Sequence, residues 1–367
     1  MPRSLHTPSA SSSQCSPAIS GTSTCRSAEK KRMRTRHALH AFALITLLYL
    51  AALVWADSRK QVFSGLALLW DALPPVLLAA LLSYLIRFLR WHLLLRWSGH
   101  RVPVSANLLA YMAGFAFTAT PGKVGELVRI RYLQDLQVPP SRTLAAFVFE
   151  RLTDLLAVLA LASLFIAKRD VFLFAAAFVV LVVVSVGTMA ACPSGLTRLA
   201  ARLRAMRIRA LSKAVRMLRD GLRGCRIWLR PRFTATALLL GLLAWGVTSW
   251  AFMYLLDALG IAIPAYQAVS VYPIAMLAGA ASMVPGGLGS TEAAIVALLI
   301  YRGISLDSAL LSAVGIRLTS LWFSIFLGLV SVSVLEWRRS RSTPRPSRLP
   351  MPESPEACTA RVDNPRR

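Results

Sequence analysis

Residues 120–130 read TPGKVGELVRI, and they interrupt an otherwise apolar stretch of the chain. Residues 284–292 read VPGGLGSTE and interrupt a second apolar stretch in the same way. Proline removes a helix donor and glycine opens backbone conformations, so each Pro-Gly pair predicts the end of one helix and the start of another. Because backbone groups cannot stay unpaired against lipid, we expect both breaks to be buried in protein or to line a wet cavity.

The composition places these breaks in a membrane protein. Of the 367 residues, 56% are hydrophobic and only 16% are charged, which is unusual for a soluble domain. We predict an all-α polytopic membrane protein with about six full transmembrane helices, each of roughly 20 apolar residues, and two broken re-entrant helical hairpins. The predicted spans are 38–56, 74–95, 143–167, 171–191, 233–256 and 307–335, and the broken segments are 106–133 and 264–301.

The net charge of +26 suggests a nucleic-acid-binding protein, but the positions of the charges argue against that class. Most Lys and Arg residues lie at the ends of apolar segments, where they orient a membrane protein, and anionic lipid headgroups are sufficient partners for them. With the N-terminus in the cytoplasm, the basic residues on the outer side are Arg59, Lys60, Lys168, Arg169 and Arg302. We predict a multi-pass protein of the inner (cytoplasmic) cell membrane, with both termini in the cytoplasm and no nucleic-acid partner.

The membrane domain is expected to cover residues 38–337, between disordered basic tails at 1–37 and 338–367. The basic run before the first span also resembles a signal peptide, although the length of the apolar run favours a retained helix. Residues 196–232 have the pattern of a basic amphipathic cytoplasmic loop, which suits an anionic membrane surface or, alternatively, a docking partner. The five cysteines show no metal-binding spacing, so we expect free thiols, no metal and no cofactor.

An ordered series of residues recurs in the two halves of the chain. A Pro-Gly-x-x-Gly motif, a glutamate after it and an arginine at a fixed distance from that glutamate occur twice. The first copy is Pro121, Gly122, Gly125, Glu126 and Arg151, and the second is Pro285, Gly286, Gly289, Glu292 and Arg317. In the predicted topology the two repeats, at about 74–167 and 233–335, run in opposite directions. Many transporters have such an inverted repeat, with broken helices that meet near the bilayer midplane.

The breaks predict an anion site. We expect a new half-helix to begin near Val124 in the first copy and near Leu288 in the second. The free N–H groups and the positive dipole at such helix starts favour an anion, and phosphate in particular. We therefore assign ten residues to lipid or phosphate binding: Pro121, Gly122, Lys123, Gly125, Arg151, Pro285, Gly286, Gly287, Gly289 and Arg317.

Ionisable side chains at membrane depth require a partner or a function, and four are carboxylates: Glu126, Glu150, Asp154 and Glu292. Two interpretations remain open. The carboxylates serve gating or proton coupling, or they cap the half-helices and pair with neighbouring arginines in local ion clusters. We expect Arg129 and Arg131 to extend to the cytoplasmic surface, and we assign no catalytic residue.

The segments TPGKVGELVR, FERLTDLL and VPGGLGSTEAAIVALL resemble the signature segments of the flippase-like membrane region of lysylphosphatidylglycerol synthases. The resemblance covers roughly residues 38–337 and extends to stand-alone integral-membrane relatives of these synthases. It implies translocation of a lipid, such as an aminoacylated phosphatidylglycerol, between leaflets. The synthases carry a soluble transferase domain after this region, whereas this sequence ends at Arg367 soon after the last predicted span. We therefore expect no aminoacyl transfer by this chain and assign lipid synthesis to a separate protein.

These observations favour a lipid translocase, which moves an anionic phospholipid or a polyprenyl-phosphate-linked lipid through a midplane cavity between the breaks. Two other classes remain open. The first is an intramembrane enzyme for a polyprenyl- or phospholipid-linked substrate, with the carboxylates as acid–base groups. The second is a membrane partner of a cell-envelope lipid synthase or glycosyltransferase. The glycine breaks lack the Gly-Lys-Ser/Thr ending of a nucleotide-binding P-loop, so transport is the favoured prediction.

Overall fold

A computed structural model of the protein describes residues 70–163, 169–191, 193–206 and 209–342. The predicted span 38–56, the tail 1–37 and the tail beyond residue 342 lie outside these residues, so those predictions remain open. Within the described ranges all regular elements are helical. The α-helices are α1 (Leu73–Trp97), α2 (Val104–Phe115), α3 (Arg129–Gln134), α4 (Pro140–Ala162), α5 (Arg169–Ala191), α6 (Pro193–Ala205), α7 (Arg209–Gly224), α8 (Pro231–Ala258), α9 (Ala265–Ala281), α10 (Ser290–Ile300), α11 (Leu306–Arg317) and α12 (Phe323–Ser342). Short 3-10 helices cover Pro121–Val128, Cys225–Leu229 and Pro285–Gly287, and a π-helical turn covers Leu318–Trp322.

Three of the described helical runs are long and apolar enough to cross a membrane: α1, α8 and the run Leu306–Arg341, which joins α11 to α12. They coincide with the predicted spans 74–95, 233–256 and 307–335. The helices α4 and α5 correspond to the predicted spans 143–167 and 171–191, although residues 164–168 lie outside the described part. The protein is thus a helical membrane protein, and the total of six spans stays a prediction.

The two halves of the described chain repeat one order of elements. The helices α1 and α8 are each followed by a glycine in the left-handed conformation, Gly99 and Gly260, which closes the last turn through backbone hydrogen bonds. Four positions further on, a proline precedes the next helix, Pro103 before α2 and Pro264 before α9. In both halves that shorter helix leads into the Pro-Gly break, which is followed by a short helix and a long one. The shared Gly-x-x-x-Pro connection strengthens the repeat, while its inversion across the membrane stays a prediction.

Small and hydroxyl-bearing side chains let the long helices approach closely. Ser83 of α1 donates a hydrogen bond to the carbonyl of Ala244 in α8 at 2.8 Å, and Thr248 donates to the Ser83 hydroxyl at 3.0 Å. In α12, a Cβ added at Gly328 would collide with the backbone of Ala116 at the end of α2. Such contacts are typical of membrane helices, because lipid provides little hydrophobic driving force for their association.

The basic loop 196–232 forms α6, α7 and a short 3-10 helix rather than a free surface helix. Four of its apolar side chains are buried together, Leu196, Ala200, Val215 and Leu222, while Leu199, Met206 and Leu229 are exposed. Gly221 of α7 also lies close to Leu144 of α4. The four buried side chains thus pack against protein, while contact of the exposed apolar side chains with a membrane surface stays a prediction.

Candidate functional site

The structure brings the two Pro-Gly breaks into contact. The 3-10 segments Pro121–Val128 and Pro285–Gly287 touch each other, and a Cβ placed on Gly286 would lie 3.2 Å from the Cα atom of Ala119. Gly286 has a φ of 64°, which L side chains rarely adopt. Glycine therefore allows both the backbone conformation and the close approach at the point where the two halves meet.

After the second break the chain follows the predicted course. The helix α10 begins at Ser290, soon after the expected start near Leu288, and Glu292 lies in its first turn. The residue before this helix, Gly289, has a φ of 79° and carries no side chain to cap it. A carboxylate in the first turn stabilises the positive end of the helix dipole, as expected for Glu292.

The first break differs from the prediction of an α-helix that begins near Val124. The chain forms a tight 3-10 helix, and α-helical geometry starts only at Arg129. The Gly125 amide donates to the Thr120 hydroxyl at 2.7 Å, and a Cβ on Gly125 would collide with the Phe117 carbonyl. These local contacts hold the segment wound tightly against the preceding turn. Glu126 therefore lies in a 3-10 helix and not in the first turn of an α-helix.

The Arg317 guanidinium connects three elements of the second half. Arg317, which is 2% exposed, donates from Nε to Glu292 Oε1 at 2.8 Å and from Nη2 to the Gly286 carbonyl at 2.7 Å. It thereby connects the end of α11 to the break and to the first turn of α10. The equivalent pair in the first half is looser, with Arg151 Nη2 at 3.9 Å from Glu126 Oε2. The glutamate and arginine of each repeat are thus neighbours, while a gating role stays a prediction.

A π-helical turn follows Arg317 and faces the same region. The Tyr84 hydroxyl donates to the Ser320 carbonyl at 2.6 Å, and the Tyr272 hydroxyl donates to Ser320 Oγ at 3.1 Å. A π turn lengthens the helical repeat locally and is frequent at functional sites. The sequence pattern of this segment does not reveal it.

The first half contains a dense set of buried ion pairs, which we name the charged cluster. It consists of Arg87, Arg90, Glu126, Arg129, Glu150, Arg151 and Asp154. Arg90 lies 2.6 Å from Asp154 and 3.5 Å from Glu150. Arg151 lies 3.3 Å from Asp154 and 3.6 Å from Glu150. Each carboxylate of the cluster is therefore within ion-pair distance of more than one arginine.

Three arginines of the charged cluster correct the sequence interpretation. Arg129 was expected to reach the surface but is 0% exposed, and Arg87 and Arg90, near the end of the predicted span 74–95, are only 9% and 1% exposed. The Arg129 guanidinium stacks over the Trp91 and Tyr111 rings, at 4.5 and 4.7 Å from their centroids. Carboxylates on α4 and aromatic faces provide these arginines with partners inside the protein, so they need not extend to water.

A sequence signal for this arrangement existed. Arg87 and Arg90 lie on one face of α1 at an i, i+3 spacing, and Glu150 and Asp154 lie on one face of α4 at i, i+4. Two helices with matched faces of opposite charge predict a pairing. By contrast, Arg131 meets the expectation for a surface residue, since its side chain is 51% exposed and pairs with an exposed glutamate near the end of α12.

A cavity of about 80 Å³, which we name the polar cavity because charged and hydroxyl-bearing side chains dominate its lining, lies where the two halves meet. Lys123, Glu126 and Arg151 line it from the first half, and Gly286 and Arg317 line it from the second. The cavity therefore brings together charged residues that the sequence predicted for one site.

An apolar cavity of about 320 Å³ adjoins the polar one. Its walls include Val158, Val182 and Leu277, and it shares Lys123 and Arg151 with the polar cavity. Two basic residues thus form part of the wall of both the polar and the apolar cavity.

The remaining predicted binding residues have other positions. Gly287 lines the apolar cavity, while Pro285 and Gly289 are exposed and line neither cavity. Pro121 and Gly122 form the start of the first 3-10 helix. These prolines and glycines therefore shape the backbone. No group of His, Cys, Asp and Glu side chains in the described ranges is arranged to hold a metal ion.

A comparison with protein families gives one result. The family model described as "Lysylphosphatidylglycerol synthase TM region" matches residues 40–328. The match includes both Pro-Gly breaks and the whole charged cluster. A search of curated proteins gives no match.

Proposed function

The chain belongs to the family of the lysylphosphatidylglycerol synthase membrane region, and on this premise we propose that it moves an anionic, phosphate-bearing lipid between the leaflets of the inner membrane. One observation carries the proposal. The polar cavity, lined by basic residues of both halves, adjoins an apolar cavity through shared walls. A phospholipid needs both environments at once, because its headgroup is charged and its chains are hydrocarbon.

The basic residues of the polar cavity suit a phosphate group. Arginine binds phosphate through parallel N–H donors, and such charge-assisted hydrogen bonds are about twice as strong as neutral ones. Arg151 is positioned for this role because its side chain is 22% exposed and lines both cavities. A headgroup at this point exchanges water for fixed donors, which lowers the barrier to crossing the hydrocarbon region.

Movement of the two halves against each other would open the site to either leaflet. In transporters with inverted repeats, one repeat rocks against the other around a fixed site. Here the contact between Gly286 and Ala119 joins the halves at that site, and Arg317 carries the motion of α11 to the second break. The inverted arrangement, with both termini in the cytoplasm, is part of the proposal.

The carboxylates favour transport over intramembrane catalysis. A general base needs an available lone pair within reach of a substrate proton. Glu126, Glu150 and Asp154 are instead held by the arginines of the charged cluster. A separate lipid synthase or glycosyltransferase as supplier of the substrate stays a prediction.

Reconstitution of the purified full chain in liposomes tests this function. Fluorescent anionic phospholipids are placed in both leaflets, and a membrane-impermeant reductant reports their exchange. We expect the protein to accelerate the exchange, and Arg317→Gln to slow it by at least about tenfold, which corresponds to 1.4 kcal/mol. The matched variant Arg101→Gln changes an exposed arginine in the loop after α1 and is expected to keep the parent rate. A folded protein that accelerates none of several anionic phospholipids and polyprenyl phosphates would refute the proposal.

A further inference from the structure

The side chains at the polar cavity carry more positive charges than negative ones. In the charged cluster, four arginines face three carboxylates. Lys123 lines the cavity and makes no ion pair with any carboxylate in the described part of the chain. In the second half, the charges of Arg317 and Glu292 cancel. Five positive charges against three negative ones leave an excess of two positive charges among the described residues of the site.

Hydrogen-bond donors show the same excess. Arg151 Nε and Trp245 Nε1 are buried donors without a hydrogen-bond partner among the described residues, and both side chains line both cavities. Asp154 Oδ2 also lacks a hydrogen bond, but it lies 3.3 Å from the Arg151 guanidinium. Burial of a donor without a partner is unfavourable, because the donor has lost its hydrogen bonds to water. A ligand that brings several acceptor oxygens removes this cost.

From this excess of charge and donors, we infer that the site selects a terminal phosphate with two negative charges, carried by a lipid phosphomonoester, over a phosphodiester headgroup. The inference rests on the proposed function and specifies its substrate. A phosphomonoester carries a charge of about −1.5 to −2 at neutral pH and has three acceptor oxygens, so it neutralises the two excess charges. A phosphodiester brings only one charge. An aminoacylated headgroup brings an additional cation, which Lys123 and Arg151 repel.

The adjoining apolar cavity indicates a phosphate that is attached to a lipid. Val158, Val182 and Leu277 form part of a wall that begins at Lys123 and Arg151. Free inorganic phosphate has the same charge but leaves these apolar side chains without a contact. Lipid-linked and free phosphate therefore share the polar cavity, and competition distinguishes them.

The inference is tested by comparing headgroups on identical acyl chains in the liposome assay. At about pH 7, above the second ionisation of a phosphomonoester near pH 6, we expect labelled phosphatidic acid to exchange at least about tenfold faster than labelled phosphatidylglycerol, and lysylphosphatidylglycerol to be slowest. The advantage of phosphatidic acid should disappear as the pH falls through about 6, because the headgroup then loses its second charge. If inorganic phosphate inhibits this exchange, the site also binds free phosphate. If it does not inhibit, the site binds only lipid-linked phosphate. Both results agree with a site for a dianion.

Variants at Lys123 give the matched comparison. Lys123→Gln removes one excess charge, so the rate ratio of phosphatidic acid to phosphatidylglycerol should fall several-fold, while Lys123→Arg should restore it. Arg101→Gln, which removes an exposed charge away from the cavity, should leave the ratio unchanged. Equal exchange of the two lipids by the parent protein, or an unchanged ratio in Lys123→Gln, would overturn this inference alone. Absence of exchange for every lipid would instead refute the proposed function.

Discussion

Replacement of Arg90 by methionine tests whether the charged cluster holds the helices around the cavity together. The Arg90 side chain is fully buried, pairs with Asp154 at 2.6 Å and with Glu150 at 3.5 Å, and donates to the Thr153 hydroxyl at 3.3 Å. Methionine fills similar space but leaves two buried carboxylates with fewer partners. Removal of one member of a buried ion pair costs about 3–5 kcal/mol. Because three other arginines of the cluster remain nearby, we expect the lower end of that range.

Thermal unfolding in detergent measures this effect. At roughly 2–4 °C per kcal/mol, the figure for chains of about 150–250 residues, Arg90→Met should lower the midpoint by at most about 6–12 °C, because a longer chain of 367 residues shifts less per kcal/mol. Arg96→Met is the control, because Arg96 lies in the same helix but is exposed, and its effect should stay within about 0.5 kcal/mol. Arg90→Lys keeps the charge but loses the planar fork of donors, so an intermediate midpoint is expected. A midpoint for Arg90→Met equal to that of the control would refute the structural role of the cluster.

Three further predictions concern close contacts. Gly328→Ala should lower the unfolding midpoint, because its Cβ would collide with the backbone at the end of α2. The control is Gly246→Ala, which has no neighbour within 4 Å and should be neutral or stabilising by up to about 1 kcal/mol. Equal midpoints for the two variants would contradict this prediction. Gly286→Ala and Gly260→Ala carry similar backbone strain at φ values of 64° and 70°, but only Gly286 faces the opposite break, so lipid exchange should fall more for Gly286→Ala. Burial raises the pKa of the Cys225 thiol to about 12, and because the thiolate is the reactive form, a maleimide at about pH 8 should label Cys225 only after denaturation. Rapid labelling of the folded protein at this thiol would contradict its burial.

The long helices and the breaks were predictable because their signals are local. The apolar runs 74–95 and 233–256 lie within α1 and α8, and proline followed by glycine interrupts a helix through its own covalent structure. The pairing of Glu292 with Arg317 followed from the repeated spacing. These features require no knowledge of which helices become neighbours.

The charged cluster depends on contacts between distant helices, because the charge spacing on α1 and α4 shows which faces are charged but not which helices become neighbours. Arg90 and its partners Glu150 and Asp154 are separated by 60 and 64 positions, and an arginine at a helix end normally indicates topology. The 3-10 form of the first break likewise depends on the approach of Gly125 to the preceding turn. In both cases tertiary contacts override the local preference, so the sequence pattern alone predicts the wrong environment.

The two halves share a motif but differ in their electrostatics, which bears on how the site works. In the second half, the guanidinium of Arg317 is already bonded to Glu292 and to the Gly286 carbonyl, so its charge is balanced locally. In the first half, Lys123 adds a positive charge to a cluster in which arginines already outnumber carboxylates. If the proposed function holds, a phosphate is therefore attracted mainly to the first half, even though the motif suggests a symmetric site. A second half without excess charge can move past a bound headgroup without separating the headgroup from its counter-charges. In the proposed transport cycle, the second half is therefore the better candidate for the moving element.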